Sequence, residues 1–261
     1  MLEIVNRGVR LAFIDEKPAA GNRGEPVLLI HGFGSTHAVN WVFPQWVKTL
    51  TEAGRRVIAF DNRGHGRSEK LYDPAAYSLP AMAEDATALL DHLGIAAVDV
   101  MGYSLGARIA VFLAKAHGDR VHRLILGGLG DHLVTRAGLP LTIAAAMEAR
   151  ALDELSDPMD RTFRSFAEAT RSDLRALAAC VRGAREVLSE AVVRAIGAPV
   201  LIAMGTEDHV GGDPHVLSRL FKRASVVDIP GRDHNQAVGD KVYKNSVLEF
   251  LEMDPDQLAF S

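Results

Sequence analysis

Three residues have the types, and the order along the chain, of a proton relay feeding a nucleophile: Ser104, Asp208 and His234. Ser104 is the centre of Gly102-Tyr103-Ser104-Leu105-Gly106, which follows the apolar run 98–101 and leads into a helical pattern. Glycines two places before and after a serine relieve crowding at a sharp strand-to-helix turn, where the backbone is strained and the hydroxyl stands clear of the surface. The pentapeptide alone is weakly specific, so its surroundings must decide. A serine hydroxyl is barely ionised near neutral pH and needs an imidazole within reach to take its proton. A carboxylate must in turn hold that imidazole in one tautomer and stabilise the imidazolium. Of ten histidines, only His234 follows the last strand-like stretch, 225–229. Asp208 follows the run 199–204, with Glu207, Asp213 and Asp131 as competing acids; Asp131 lies after the run 124–126.

The elements that must position these groups are read from the hydrophobic period. Residues 27–30, and 56–60 after its leading Arg56, run apolar without alternation, as parallel strands covered on both faces do. Residues 2–5 and 9–14 predict a hairpin around Asn6-Arg7-Gly8. Helical spacing is read over 41–52, over Met82, Ala86, Leu89, Leu90 and Leu93, from Ser104 to about Lys115, and over 241–253. Between 132 and 194 strand-like runs vanish, and helical patterns over 141–155, 158–169, 173–182 and 186–195 predict an inserted cap. Its nine arginines are balanced by nine acidic residues, which predicts a helical surface laced with weak ion pairs. The expected fold is α/β: a mostly parallel eight-stranded sheet with helices on both faces, a core of residues 1–131 and 195–261, and a helical lid over 132–194. In such sheets reactive groups sit in loops at the carboxyl ends of strands, which is where Ser104, Asp208 and His234 fall.

The totals bound the function. A chain of 261 residues, 48% hydrophobic and 24% charged, is long enough for one large core. A net charge of −4 without a basic run excludes nucleic acid as the expected partner. No stretch reaches the roughly 18 apolar residues of a membrane span, and no apolar leader follows Met1. With Cys180 as the single cysteine, a cytoplasmic location is expected. His31 and His65 belong to no metal-ligand spacing, so turn-stabilising roles are expected for them and no metal or cofactor is predicted. Asp61 and Arg63 read as structural. Tyr103 and Phe33 either line an acyl pocket or pack. Trp41, Met147, Phe163 and Phe166 either face a ligand or bury the cap's underside, and Cys180 reads as cap core.

Taken together, His31-Gly32-Phe33-Gly34, the stretch 61–68, Gly102 to Gly106, Asp208 and His234 make the chain resemble a capped α/β-hydrolase fold enzyme over nearly its whole length. The resemblance implies Ser104 as nucleophile, His234 as base and Asp208 as its orienting acid. Charge developing on a carbonyl oxygen needs fixed donors, and the backbone N–H groups of Phe33 and Leu105 are the candidates. The expected activity is a cofactor-independent serine hydrolase acting on small or medium carboxylic esters. Lactone, C–C bond and perhydrolysis chemistry use the same parts, and a non-hydrolytic ligand binder is the reading from another class. Serine at position 104 weighs against the branches that use an aspartate nucleophile.

Overall fold

The computed structural model of the chain describes residues 1–253; the last eight residues of the core segment expected over 195–261 lie outside them. A hairpin of β1 (Leu2–Asn6) and β2 (Val9–Glu16) is followed by β3 (Val27–Ile30), α1 (Trp46–Glu52), β4 (Val57–Phe60), α2 (Leu79–His92), β5 (Val98–Tyr103), α3 (Leu105–Ala116) and β6 (Val121–Gly127). Helices then run without a strand between them: α4 (His132–Thr135), α5 (Leu141–Glu148), α6 (Pro158–Ala169), α7 (Leu174–Gly183) and α8 (Glu190–Ala195). The sheet resumes with β7 (Val200–Gly205), α9 (Pro214–Ser218), β8 (Ala224–Ile229) and α10 (Lys241–Glu252).

The eight strands form one sheet in the order β1-β2-β4-β3-β5-β6-β7-β8. β2 is antiparallel to both neighbours and every other pairing is parallel. The order reverses at β3, which has β4 on one side and β5 on the other. Loops leaving β3 and β5 therefore open a crevice at their carboxyl ends, the usual place for a ligand in a sheet of this kind.

The continuous apolar runs have a simple cause, because successive side chains of a strand face opposite sides. Leu28, Ile30, Ile58, Phe60, Val98 and Val100 enter one core, shared with α2, α3 and Val193 of α8. Val27, Leu29, Val57, Ala59 and Met101 enter the other, with Trp41, Trp46 and the α10 residues Tyr243, Val247 and Phe250. Both faces are covered, so neither face of β3 or β4 has a wet residue.

Three helix predictions differ from the structure at their ends. The pattern over 41–52 splits into a π-helical turn, Ala38–Val42, and α1, because Pro44 has no N–H to donate and Gln45 takes φ +68°. The pattern over 141–155 stops at Glu148, where the Arg164 guanidinium takes the orphan carbonyls of Ala146 at 2.7 Å and Ala149 at 2.9 Å. The last begins only at Glu190; Glu186 is engaged instead by the Leu79 N–H at the start of α2, 3.0 Å away. α5 packs on both α6 and α7, and α7 also rests on the turn Pro74–Tyr77, whereas α8 packs on α3. Among the described residues no helix is long and apolar enough to cross a membrane.

Candidate active site

The β5-to-α3 turn is built from steric necessity. Ser104 holds φ +54° and ψ −112°, a sparsely populated conformation for a residue with a side chain. A Cβ on Gly102 would collide with the Gly106 carbonyl, and one on Gly106 with the backbone of Ile30 and His31. The two glycines thus let α3 start flush against β3 and β5, and the turn is pinned by the Ser104 N–H donating to the Gly127 carbonyl at 2.8 Å.

His234, in the loop after β8, reaches this turn. Its Nε2 lies 2.9 Å from Ser104 Oγ, and its Nδ1 lies 2.6 Å from Asp208 Oδ2. An ionised carboxylate only accepts, so Nδ1 carries the imidazole proton and Nε2 is left to accept from the serine hydroxyl. Asp208 Oδ1 accepts from the N–H groups of Val210 at 2.8 Å and Gly211 at 3.3 Å. Burial pushes the Asp208 carboxyl up, but the hydrogen bond from His234, the imidazole charge and the two backbone donors outweigh it and hold its pKa below the ordinary value. The other acids are occupied elsewhere: Asp131 Oδ1 accepts from the Asp213 N–H at 2.7 Å, and Asp213 caps α9. Glu207 lines the neighbouring groove without touching the imidazole. Gly128 leaves room for the ring, since a Cβ there would stand 2.9 Å from His234 Cε1.

The turn after β3 lies directly against Ser104: a Cβ on Gly32 would be 3.4 Å from the serine Cβ. Neither the Phe33 nor the Leu105 N–H is taken by another turn or loop carbonyl among the described residues. Leu105 opens α3, so its amide is one of the orphan donors of a helix start, where the helix dipole is positive. The Phe33 turn is held by groups that the sequence did not reveal. Asn40 Oδ1 accepts the Gly32 N–H at 2.7 Å, and the Gly34 carbonyl accepts from Thr170 Oγ1 at 2.8 Å and Ser172 Oγ at 3.2 Å. Tyr103 is largely buried yet lines the groove beside Ser104, and its hydroxyl donates to the His234 carbonyl at 2.6 Å, which fixes the histidine loop. Nothing in residue type or spacing announces these partners; an asparagine eight residues after a glycine has no signature.

Behind this turn lies a buried polar cluster. His31 Nδ1 donates to the Gly32 carbonyl at 2.8 Å and its Nε2 accepts from the Asn62 N–H at 3.0 Å. Asp61 accepts from the His37 and Arg67 N–H groups, each at 2.8 Å, and Arg63 grips Asp85 with two bonds of 2.7 Å. Burial drives the pKa of His31 down to about 4 and that of His65 to about 3, with Asp61 recovering only part of the loss. A histidine kept neutral by burial binds a proton more readily when unfolded, so stability falls as pH drops from 6.5 towards these values. The two histidines together are expected to cost about 4 kcal/mol of unfolding free energy between pH 7 and pH 5. Urea titrations at the two pH values check this, and equal midpoints would show that the pair is not held neutral.

Two cavities meet at Ser104. The larger, about 520 Å³, is a groove lined by Phe33, Ser104 and His234 and roofed by Met159, Phe163 and Phe166 of α6. The smaller, about 60 Å³, lies beside Ser104, Leu105, Phe33 and Arg108 and is closed by Cys180 and Val181 of α7. Of the four residues weighed as ligand-facing, Phe163 and Phe166 line the groove, whereas Trp41 packs against Trp46 and Met147 is buried in the other core. Burial raises the Cys180 thiol to about 12, so it stays protonated. No group of three or more His, Cys, Asp or Glu that could hold a metal ion occurs among the described residues.

A strained serine at the switch of an eight-stranded, mostly parallel sheet, with a histidine and an acid from the following strand loops, defines the class. The chain matches the alpha/beta hydrolase fold over residues 25–187 and belongs to that family. It is 36% identical over 151 residues to the 2-hydroxymuconate semialdehyde hydrolase of Pseudomonas sp. (strain CF600), covering 56% of this chain and 47% of that protein. It thus spans about half the length of that relative, and less of some others that it matches. The putative carbamate hydrolase RutD of Variovorax paradoxus is 29% identical over 255 residues, covering 87% of this chain and 92% of the relative. The solved enol-lactonase from Burkholderia xenovorans LB400 has the same fold, with a TM-score of 0.79, 22% identity and coverage of 97% and 100%.

Proposed function

We propose that the protein is a serine hydrolase that cleaves small or medium carboxylic esters through an acyl-enzyme on Ser104. The observation that carries the reading is the continuous bond chain Asp208–His234–Ser104 at the junction of two cavities, beside two unspent backbone amides. In this reading Ser104 Oγ attacks the carbonyl carbon as His234 Nε2 takes its proton. Negative charge then collects on the carbonyl oxygen between the Phe33 and Leu105 amides, where losing one donor typically costs about 3 kcal/mol. His234 returns the proton to the departing alcohol, and water activated by the same imidazole releases the acid. Asp208 stays ionised throughout and stabilises the imidazolium. Residues 132–194 act as a lid, with α6 and α7 setting the ceiling of the groove and the small cavity.

Relatives named as a semialdehyde hydrolase, a putative carbamate hydrolase and an enol-lactonase support hydrolytic chemistry and leave the bond type open among ester, lactone and C–C substrates. The test is a burst of 4-nitrophenol from a short acyl ester, one equivalent per enzyme, together with labelling by a fluorophosphonate. A protein that shows neither turnover nor labelling is a binder of the same fold instead.

A further inference from the structure

Arg108 stands one helical turn beyond Ser104 on α3 and is 7% exposed. A cation so deeply buried normally faces a carboxylate. This one does not: its Nη2 donates to the backbone carbonyls of His132 and Arg136, and its Nη1 has no acceptor and is out of contact with solvent. Burial, with a smaller contribution from the charge of Arg185, lowers its pKa to about 10, which leaves it protonated at neutral pH. Arg108 lines the small cavity beside Ser104, whose other polar residues include Arg136, His132 and His209 and, among the described residues, no Asp or Glu. The lining of this cavity therefore brings cationic side chains together with no carboxylate among the described residues.

The two cavities are not equivalent for the reaction. His234 lines the groove and not the small cavity, and the leaving group must be within reach of His234 Nε2 to receive its proton. The alcohol portion therefore belongs in the groove and the acyl portion in the small cavity, between the Leu105 amide and Arg108. A volume of about 60 Å³, a few times the roughly 10–15 Å³ that one water needs, admits only a short acyl chain. Building on the hydrolase reading above, we propose that the acyl group of the substrate is short and ends in a carboxylate read by Arg108, so that the preferred substrates are half-esters of short dicarboxylic acids or lactones with the same acid tail.

Monobenzyl glutarate and its neutral isostere, benzyl glutaramate, separate this from a purely structural role for Arg108. Wild-type protein is expected to release benzyl alcohol from the acid with a kcat/KM at least about tenfold higher, as a charge-assisted pair replaces an unpaired cation. Arg108→Met is expected to lower the acid-to-amide ratio by roughly 10- to 100-fold, whatever loss the two substrates share, and Arg108→Lys to recover part of that ratio. A ratio near one in the wild type, or a ratio unmoved by Arg108→Met, would overturn the assignment and leave Arg108 as an anchor for the backbone at His132 and Arg136. Calorimetry with glutarate and with glutaramide as probes reads the anion site without turnover and without a variant. Glutarate binding alone is the expected result; absence of glutarate binding overturns the site. Failure of both esters with glutarate still bound counts against the hydrolase reading and not against the anion site.

Discussion

Replacing Ser104 by alanine is expected to lower kcat by about a million-fold, to the background left by binding and the two amides, and to abolish the 4-nitrophenol burst and fluorophosphonate labelling. The magnitude follows from the covalent step: without Oγ no acyl-enzyme forms, and His234 has no positioned nucleophile to deprotonate. The fold should survive, because the side chain at 104 is only partly buried and its bond to His234 is its one side-chain contact of this kind. The backbone bond from Ser104 N–H to Gly127 is unaffected by the change. Alanine must still adopt φ +54°, so the variant keeps the strain of the turn and unfolds at close to the wild-type temperature. Steady-state kinetics with thermal unfolding as control checks both statements. Residual activity within tenfold of wild type would remove Ser104 from the reaction.

The second large effect concerns the carboxylate. Asp208→Asn is expected to lower kcat by about ten-thousand-fold, because an amide NH₂ facing Nδ1 favours the wrong imidazole tautomer and cannot stabilise the imidazolium. Asp131→Asn is expected to change turnover by less than tenfold, since Asp131 accepts a backbone N–H from Asp213, a bond that an amide oxygen can replace. Comparing the two variants on one ester separates the roles. Equal or reversed losses would transfer the orienting function away from Asp208. The lowered pKa of Asp208 has its own consequence: the carboxylate remains ionised below the ordinary carboxylate range, so loss of activity on the kcat/KM profile above that range does not come from protonation of Asp208.

Much of this was legible in the chain alone, and the reasons are local. Apolar runs such as Val27–Ile30 imply a strand covered on both faces, whatever else the chain does. Glycines around Ser104 mark a turn in which a Cβ at either position would strike backbone, and that constraint lies within a few residues. The helix ends were less legible, because they depend on distant groups: Arg164 ends α5 by taking its carbonyls, and Glu186 is drawn to the start of α2.

By itself, then, the sequence determined the alternation of strands and helices, the elbow at Ser104, and the placing of Asp208 and His234 after strands; each follows from period, chain order or the size of a glycine. Only the tertiary structure decided which acid meets Nδ1 of a histidine 130 positions from Ser104, because that depends on the order of β5, β6, β7 and β8 in the sheet. The same holds for Phe163 and Phe166 over the groove with Trp41 and Met147 in the cores, and for Asn40 and Thr170 holding the Phe33 turn. Arg108 is the clearest case. Its position four residues beyond Ser104 is plain in the sequence, but a buried cation without a carboxylate is a property of everything packed around it, and only the assembled fold displays that deficit.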